Sequence, residues 1–138
     1  MDCIFCKIVA GQIPCLKVYE NGRVLAFLDI GPLSDGHTLV IPKEHYARLE
    51  DLPAELAGEI GKVLPKLGAA VVRAVGAPGY NVLQNNGRVA GQLVEHVHFH
   101  IIPRQPEDGL GYRWNAKKYP EGKDHQVLQR VVAELENP

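Results

Sequence analysis

The sequence predicts a domain of the α+β class, with helices packed on an antiparallel sheet of five strands. Three observations predict it: five short runs rich in β-branched and aromatic residues, a turn sequence between the first two runs, and two longer segments with helical periodicity. Strands that follow one another along the chain are typical of this class. The 138 residues, 46% of them hydrophobic, suffice for one hydrophobic core, so a single domain over residues 1–138 is expected.

The N-terminal part contains three predicted elements. Residues 2–10 start with an aspartate that can cap a helix and stop at a glycine, which predicts a short helix or turn. Two strands are predicted at residues 16–20 and 23–29, on either side of Asn21 and Gly22. This dipeptide favours a tight hairpin in which both central residues have positive φ.

Three further strands are predicted at residues 37–41, 80–84 and 94–102. Pro42 ends the first of them, because proline has no N–H to donate to a neighbouring strand. A polar loop with two glycines, at residues 85–92, leads directly into the last strand.

Two segments have the apolar periodicity of helices. In residues 52–75 apolar side chains recur every three or four positions, and Pro65 inside this pattern predicts a kink or a break into two helices. A last helix is predicted from about Asp124. Its apolar face consists of Val127, Leu128, Val131, Val132 and Leu135.

The last strand carries the most informative pattern, since His96, His98 and His100 are spaced by two residues and apolar residues alternate with them. In an extended chain such residues point to one side, so the three imidazoles are expected to share a face. Crowded imidazoles favour the neutral form, which offers a nitrogen lone pair to a metal or a phosphorus atom. Exposed faces of strands usually carry other polar residues, so the pattern favours a chemical role.

Composition narrows the classes of partner. The 15 basic and 16 acidic residues give a net charge of -1, and neither sign forms a long run, so binding to nucleic acid or to an anionic membrane is not expected. Glycine, proline or charge interrupts every apolar stretch, which argues against a membrane-spanning helix and a secretory signal. Three cysteines are an odd and sparse set that suits a reducing compartment, so a cytoplasmic location is expected.

The segment His96-Val97-His98-Phe99-His100-Ile101-Ile102 resembles the signature of the histidine triad (HIT) superfamily. The resemblance covers residues 2–103, and residues 104–138 form a C-terminal tail and helix. It implies a HIT-like fold. Other matching segments, in family order, are residues 3–8, 26–30, 36–43 with His45, Asn85, and Gly91 with Gln92.

The resemblance implies an enzyme similar to bacterial members of the Hint branch. Such enzymes cleave at the α-phosphate of purine nucleoside phosphoramidates or dinucleoside polyphosphates, act as homodimers and use no organic cofactor. The middle histidine attacks phosphorus in the family, so His98 is the expected nucleophile, and His96 completes the catalytic set. His100 lies one pleat further on the same face and is expected to stabilise the phosphate or to help the leaving group. A nucleotidyl-histidine intermediate is chemically sound, because it splits one difficult displacement into two easier ones.

The resemblance also implies the residues that bind the nucleotide. Asn85 and Gln92 match amides that contact ribose or phosphate, and Asp29 matches an acid that accepts the ribose hydroxyls. Leu93 occupies a position where many members have a hydroxyl residue, so that hydroxyl's contact must be absent or replaced. The apolar slot for the base comprises Ile4, Phe5, Ile8, Phe27 and Ile30.

Cys3 and Cys6, together with His45 and His96, have the residue types of a tetrahedral zinc site. One Cys-x-x-Cys pair alone is a weak signal, and two cysteines without a metal are the alternative. The resemblance strengthens the zinc interpretation, because some bacterial members and the related galactose-1-phosphate uridylyltransferases bind zinc with such a set. A closed site with four protein ligands is structural.

Two other functions remain open on the sequence alone. The three histidines at 96, 98 and 100 are also a suitable ligand set for a catalytic metal in a phosphohydrolase. A nucleotide-binding regulatory module with vestigial activity is the other alternative. His37 and His125 receive no role, and Trp114 in the tail is expected to approach the pocket of a neighbouring subunit, as C-terminal aromatic residues do in some relatives.

Overall fold

The computed structural model of the chain describes residues 2–111 and 115–137. Its elements confirm the predicted α+β class with five strands. Within the described residues, no helix is long and apolar enough to cross a membrane. The helices and strands are α1 (Ile4–Val9), β1 (Lys17–Glu20), β2 (Val24–Leu28), β3 (Thr38–Pro42), α2 (Ala54–Val75), β4 (Gly79–Gln84), β5 (Phe99–Arg104) and α3 (Lys123–Glu136).

The strands form one sheet in the order β1-β2-β3-β5-β4, and each neighbouring pair is antiparallel. β5 therefore pairs on both sides. His100 lies opposite Leu39 of β3 and Leu83 of β4, which places the end of the triad segment inside the sheet.

Buried side chains cover both faces of the sheet, because alternate residues of a strand point to opposite sides. On one face, Val24 and Ala26 of β2 pack in a cluster with Ile60 and Val63 of α2. On the other face, Phe27 of β2 belongs to a cluster with residues of α1 and β3. That second cluster contains Leu39, the cross-strand partner of His100, so the triad lies on the α1 face.

The predicted hairpin is present, but its turn is of another type. Neither Asn21 nor Gly22 has positive φ. Instead, the Asn21 side-chain oxygen accepts the backbone N–H groups of Arg23 and Val24, both at 2.9 Å. These two bonds from side chain to backbone stabilise the turn, so the turn does not need residues with positive φ.

The predicted break at Pro65 does not occur, since α2 is one continuous helix of 22 residues. Proline removes the hydrogen bond to the carbonyl four residues earlier, which belongs to Gly61. Both residues are exposed, so water can satisfy that carbonyl. The helix ends at Val75 and is capped by Gly76, whose φ of 68° is left-handed, as is common after a helix.

The helix α3 begins at Lys123, close to the predicted start, but the apolar face predicted for it is not covered. Within the described residues of α3 none is buried. Leu128 and Leu135 are 57% and 75% exposed. The outer strand β4 is also largely exposed, and its apolar side chains Val82 and Leu83 are 48% and 43% exposed.

Candidate active site

The triad segment enters the sheet later than predicted. The expected strand over residues 94–102 begins only at Phe99 and continues to Arg104, so His96 and His98 precede it. The rings of His98 and His100 are 5.0 Å apart. Phe5 of α1 packs edge-on against the rings of both His96 and His98. The three imidazoles therefore gather beside α1, as the two-residue spacing indicates.

Burial keeps these imidazoles neutral near pH 7. It lowers the pKa of both His96 and His98 below the usual 6.5. Burial, and then the neighbouring rings of His98 and His37, lowers the pKa of His100 to about 4. Each neutral ring carries one N–H and one nitrogen lone pair, and its hydrogen-bond partners decide which of the two nitrogens carries the proton.

The partners of His98 leave its outer nitrogen bare. Its Nδ1 lies 2.7 Å from the carbonyl oxygen of His96, which can only accept, so the proton is on Nδ1. The lone pair is then on Nε2. This is the protonation state that a nucleophile needs.

His37, which received no role from the sequence, fixes the opposite arrangement in His100. The backbone N–H of Leu33 donates to His37 Nδ1 at 3.0 Å, so the proton of His37 is on Nε2. That N–H donates to His100 Nδ1 at 2.9 Å, and His100 therefore carries its own proton on Nε2. The ring of His100 presents a hydrogen-bond donor next to the lone pair of His98.

A sequence signal for His37 existed. It lies in the segment of residues 36–43 that resembles the family, directly before β3, and β3 pairs with the strand of His100. The other unassigned histidine, His125, lies exposed on α3. The prediction for Trp114 falls outside the described residues.

The apolar side chains predicted to form a slot line a cavity of about 130 Å³ beside the triad. Phe5 lines it and also contacts His98, so the slot and the candidate nucleophile are adjacent. Asp29, at the same cavity, places Oδ2 3.8 Å from His37 Nε2. All five residues predicted for the slot line this cavity, namely Ile4, Phe5, Ile8, Phe27 and Ile30, and so does Asp29. The sequence did not indicate the other lining residues, Ile13, Pro14, Cys15, Leu28 and Leu39.

The two predicted amides differ in how freely they can bind a ligand. Gln92 is buried, with its oxygen accepting the N–H of Gly87 at 2.7 Å and its nitrogen donating to the Ala47 carbonyl at 2.6 Å. These two bonds fix the loop that precedes the triad, and the second hydrogen of the Gln92 amide makes neither of them. Asn85 makes one long bond to the Gly91 carbonyl at 3.4 Å. Leu93 is 83% exposed beside this loop.

The predicted metal ligands Cys3, Cys6, His45 and His96 also come together, with all four donor atoms within 4.8 Å of one another. Sulfur and nitrogen ligands of a tetrahedral zinc ion are about 3.6 Å apart, given bonds of about 2.3 and 2.1 Å. The observed sulfur–Nδ1 distances are 3.4 Å for Cys3–His96, 3.4 Å for Cys6–His45 and 3.7 Å for Cys6–His96. These three distances match the separation of sulfur and nitrogen ligands around a tetrahedral zinc ion.

The protonation of His96 fits the same site. Its Nε2 lies 2.8 Å from the Pro42 carbonyl oxygen, so the proton is on Nε2 and the bare Nδ1 faces the two sulfur atoms. A backbone carbonyl that orients a ligating histidine in this way is common at metal sites. The free nitrogen of His96 thus belongs to the cysteine cluster.

Comparison with known proteins gives the family of this chain. The family model described as HIT domain matches residues 10–107. The chain belongs to the HIT family. This HIT protein is 56% identical over 115 residues to adenosine 5'-monophosphoramidase hnt1 of Schizosaccharomyces pombe, covering 83% of this chain and 84% of that one.

Solved structures of relatives share the fold. A HIT family protein from Bacillus anthracis has 44% identity and a TM-score of 0.86, over 99% of this chain and 96% of that one. A zinc-bound histidine triad family protein from Mycobacterium smegmatis has 36% identity and a TM-score of 0.76, over 99% and 97%. The predicted HIT-like fold is confirmed.

A second cluster of donor atoms in this HIT protein, at Asp29, His37 and His100, does not suit a metal. The Leu33 N–H keeps the proton of His37 on Nε2, the nitrogen that faces the other two groups. A metal ligand needs a lone pair there. The triad itself is no ligand set either, because the bare nitrogen of His96 faces sulfur and the outer nitrogen of His100 carries a proton.

We expect acid to destabilise this HIT protein through its buried imidazoles. The pKa of His100 is about 4 in the folded chain against 6.5 ordinarily, so between these values the unfolded chain binds more protons. The free energy of unfolding then falls as pH falls, by about 1.4 kcal/mol for each unit of pKa difference before allowance for solvent screening. Melting temperatures measured from about pH 7 to about pH 4 check this.

The variant His100→Asn serves as the control for this pH dependence. It lacks the titrating ring, so its melting temperature should fall less steeply over the same interval. Equal slopes for the variant and the unaltered protein would contradict the assignment.

Proposed function

We propose that this HIT protein hydrolyses purine nucleoside phosphoramidates at the α-phosphate, through a nucleotidyl intermediate on His98. The observation that carries the proposal is the bare Nε2 of His98, held in that state by the His96 carbonyl beside an apolar slot. The relative from S. pombe is named an adenosine 5'-monophosphoramidase, which supports this substrate class.

In the first step the His98 Nε2 lone pair forms a bond to the α-phosphorus, and the bond from phosphorus to the leaving nitrogen breaks. The leaving amine takes a proton from water. His98 becomes positively charged, and its Nδ1–H bond to the His96 carbonyl strengthens as that charge develops. The Nε2–H of His100 is positioned to donate to a phosphoryl oxygen, where negative charge accumulates.

In the second step water attacks the same phosphorus and displaces His98. The attacking water gives up a proton, which neutralises the hydroxide left when the amine was protonated. The nucleoside monophosphate leaves and the neutral ring of His98 is restored. Dinucleoside polyphosphates fit the same scheme with a phosphate as the leaving group. Neither step requires a metal-bound water, so the mechanism differs from metal-assisted hydrolysis.

The nucleotide is held by groups around the cavity. The apolar side chains of the slot grip the purine by shape and dispersion. The carboxylate of Asp29 accepts the ribose hydroxyls, while Asn85 and the remaining amide hydrogen of Gln92 donate to ribose or phosphate.

The Cys3–Cys6–His45–His96 set binds zinc in a structural role. With four protein ligands, a zinc ion would hold α1 against the triad segment and would leave no coordination position for a water molecule. The solved zinc-bound relative from M. smegmatis supports this assignment.

A homodimer is the assembly we propose for this chain. Apolar side chains on the outer strand β4 and on α3 are exposed in a single copy, and burying such surfaces is the usual reason for subunits to pair. A second copy of the chain is the natural cover for them.

Trapping the intermediate tests the proposed function. The protein is mixed briefly with adenosine 5'-monophosphoramidate, quenched under alkaline conditions that spare an acid-labile phosphorus–nitrogen bond, and digested for mass spectrometry. We expect an adenylyl group on the peptide that contains His98, and release of AMP on longer incubation. Turnover with no adduct at any time would contradict the covalent mechanism, and nucleotide binding without turnover would favour the regulatory module.

The leaving group is determined by a parallel measurement on the same preparation. Rates with adenosine 5'-monophosphoramidate and diadenosine tetraphosphate are compared at equal concentrations. A higher kcat/KM with the phosphoramidate is the expected result.

A further inference from the structure

The residue proposed as nucleophile lies outside the hydrogen-bonded sheet. Pairing of β5 with β3 and β4 includes Phe99 and His100 but stops before His98. The next bond along the backbone is from the N–H of Val97 to the carbonyl of Tyr46, at 2.7 Å. The position of His98 therefore depends on what holds this short segment.

The segment is anchored by candidate metal ligands on both sides of that bond. His45 directly precedes Tyr46, and His96 directly precedes Val97. The carbonyl of His96 accepts the Nδ1–H of His98 at 2.7 Å. His96 therefore contacts the cysteine cluster with its ring and the proposed nucleophile with its backbone carbonyl.

A second connection runs through α1. Phe5 lies between Cys3 and Cys6 in the chain, and Cys3 begins the helix by accepting the N–H of Cys6 at its sulfur. The ring of Phe5 meets His98 edge-on, with centroids 5.1 Å apart and planes at 84°. A shift of either cysteine would move this ring against His98.

We propose that the Cys3–Cys6–His45–His96 set, closed by zinc, positions His98 for catalysis in addition to stabilising the fold. It does so by two contacts, the carbonyl of His96 on Nδ1 and the ring of Phe5 on the imidazole. With the set closed, His98 has one tautomer and one ring orientation. This inference rests on the proposed function for the catalytic role of His98. The tautomer of His98, and its dependence on zinc, can be measured without turnover.

The test compares the full chain, loaded with zinc or stripped by a chelator, with two variants. Cys6→Ser removes one ligand. Val63→Ala is the matched control, because it leaves a cavity in the core cluster on the opposite face of the sheet, which contains none of the four candidate ligands. Long-range proton–nitrogen NMR of the imidazoles reports which nitrogen of His98 carries the proton.

We expect a single Nδ1–H tautomer of His98 in the zinc-loaded protein and in Val63→Ala. Stripped protein and Cys6→Ser should show a mixture of tautomers, and added zinc should restore the single tautomer in the stripped protein. For adenosine 5'-monophosphoramidate, kcat should fall by at least about 10-fold in Cys6→Ser, since loss of a ligand should cost no less than loss of a group that only orients a ligand. In Val63→Ala it should stay within about twofold.

Two results would overturn the inference. One is a single Nδ1–H tautomer of His98 with unchanged kcat in stripped, folded protein, and the other is failure of the folded chain to bind zinc. If Cys6→Ser does not fold, Phe5→Leu keeps all four ligands and should lower kcat while zinc stoichiometry stays the same; unchanged kcat there would also count against it. Absence of turnover in the unaltered protein would instead refute the proposed function, and the NMR comparison would still decide the positioning role.

Discussion

Replacing His98 with alanine should lower kcat for adenosine 5'-monophosphoramidate by about 10⁴-fold or more, the scale seen when an enzyme loses its nucleophile. Neither of the other two imidazoles of the triad can take over the attack. The bare nitrogen of His96 faces the sulfur atoms of Cys3 and Cys6, and the outer nitrogen of His100 carries a proton. Steady-state rates with and without the substitution measure the effect.

The same variant should keep its fold and its affinity for AMP. The slot is formed by other side chains, and loss of the ring removes only one partner of Phe5. Circular dichroism and calorimetric titration with AMP provide these controls. A rate close to that of the unaltered protein would exclude attack by His98, and loss of folding would require His98→Asn in its place.

Replacing His37 with leucine should lower kcat by about 10–100-fold and change KM little, as expected for a group that orients a catalytic side chain. Without His37, the Nδ1 of His100 loses its donor and the ring can move its proton to that nitrogen. His100 then presents a lone pair to a phosphoryl oxygen and repels it. Separate determination of kcat and KM tests this.

The conservative variant His37→Gln distinguishes positioning from packing. A glutamine amide can donate to His100 Nδ1 and accept from the Leu33 N–H, so most of the kcat should return. If leucine and glutamine reduce kcat equally, the hydrogen bond from His37 is not what orients His100.

Local patterns predicted the strands of the sheet because strand formation depends on side-chain type and spacing, whereas the residues of the slot followed from the family resemblance. The alternation of His98 and His100 with apolar residues was sufficient to place them on one face, and the apolar residues of α1 and β2 line one cavity as expected. The ligand set of Cys3, Cys6, His45 and His96 converges although its members span more than 90 positions of the chain. In these cases the family resemblance supplied the long-range pairing that spacing alone does not contain.

Features that depend on particular bonds across the fold were missed. His37 looks like an ordinary residue before a strand, and its role follows only from the pairing of β3 with β5 and from the Leu33 N–H. The start of β5 at Phe99 reflects the Val97–Tyr46 bond, which takes the preceding residues out of the ladder. The turn at Asn21 was mistaken for another type because its side chain replaces the expected backbone geometry.

The central place of β5 has a consequence for heat inactivation. A strand bonded to neighbours on both sides cannot be released by fraying of an edge, so the amide of His100 should exchange its hydrogen only when the whole molecule opens. The ring of His100, which we propose as the donor to the phosphate, should therefore keep its place until cooperative melting, and catalysis and native structure should disappear over the same few degrees.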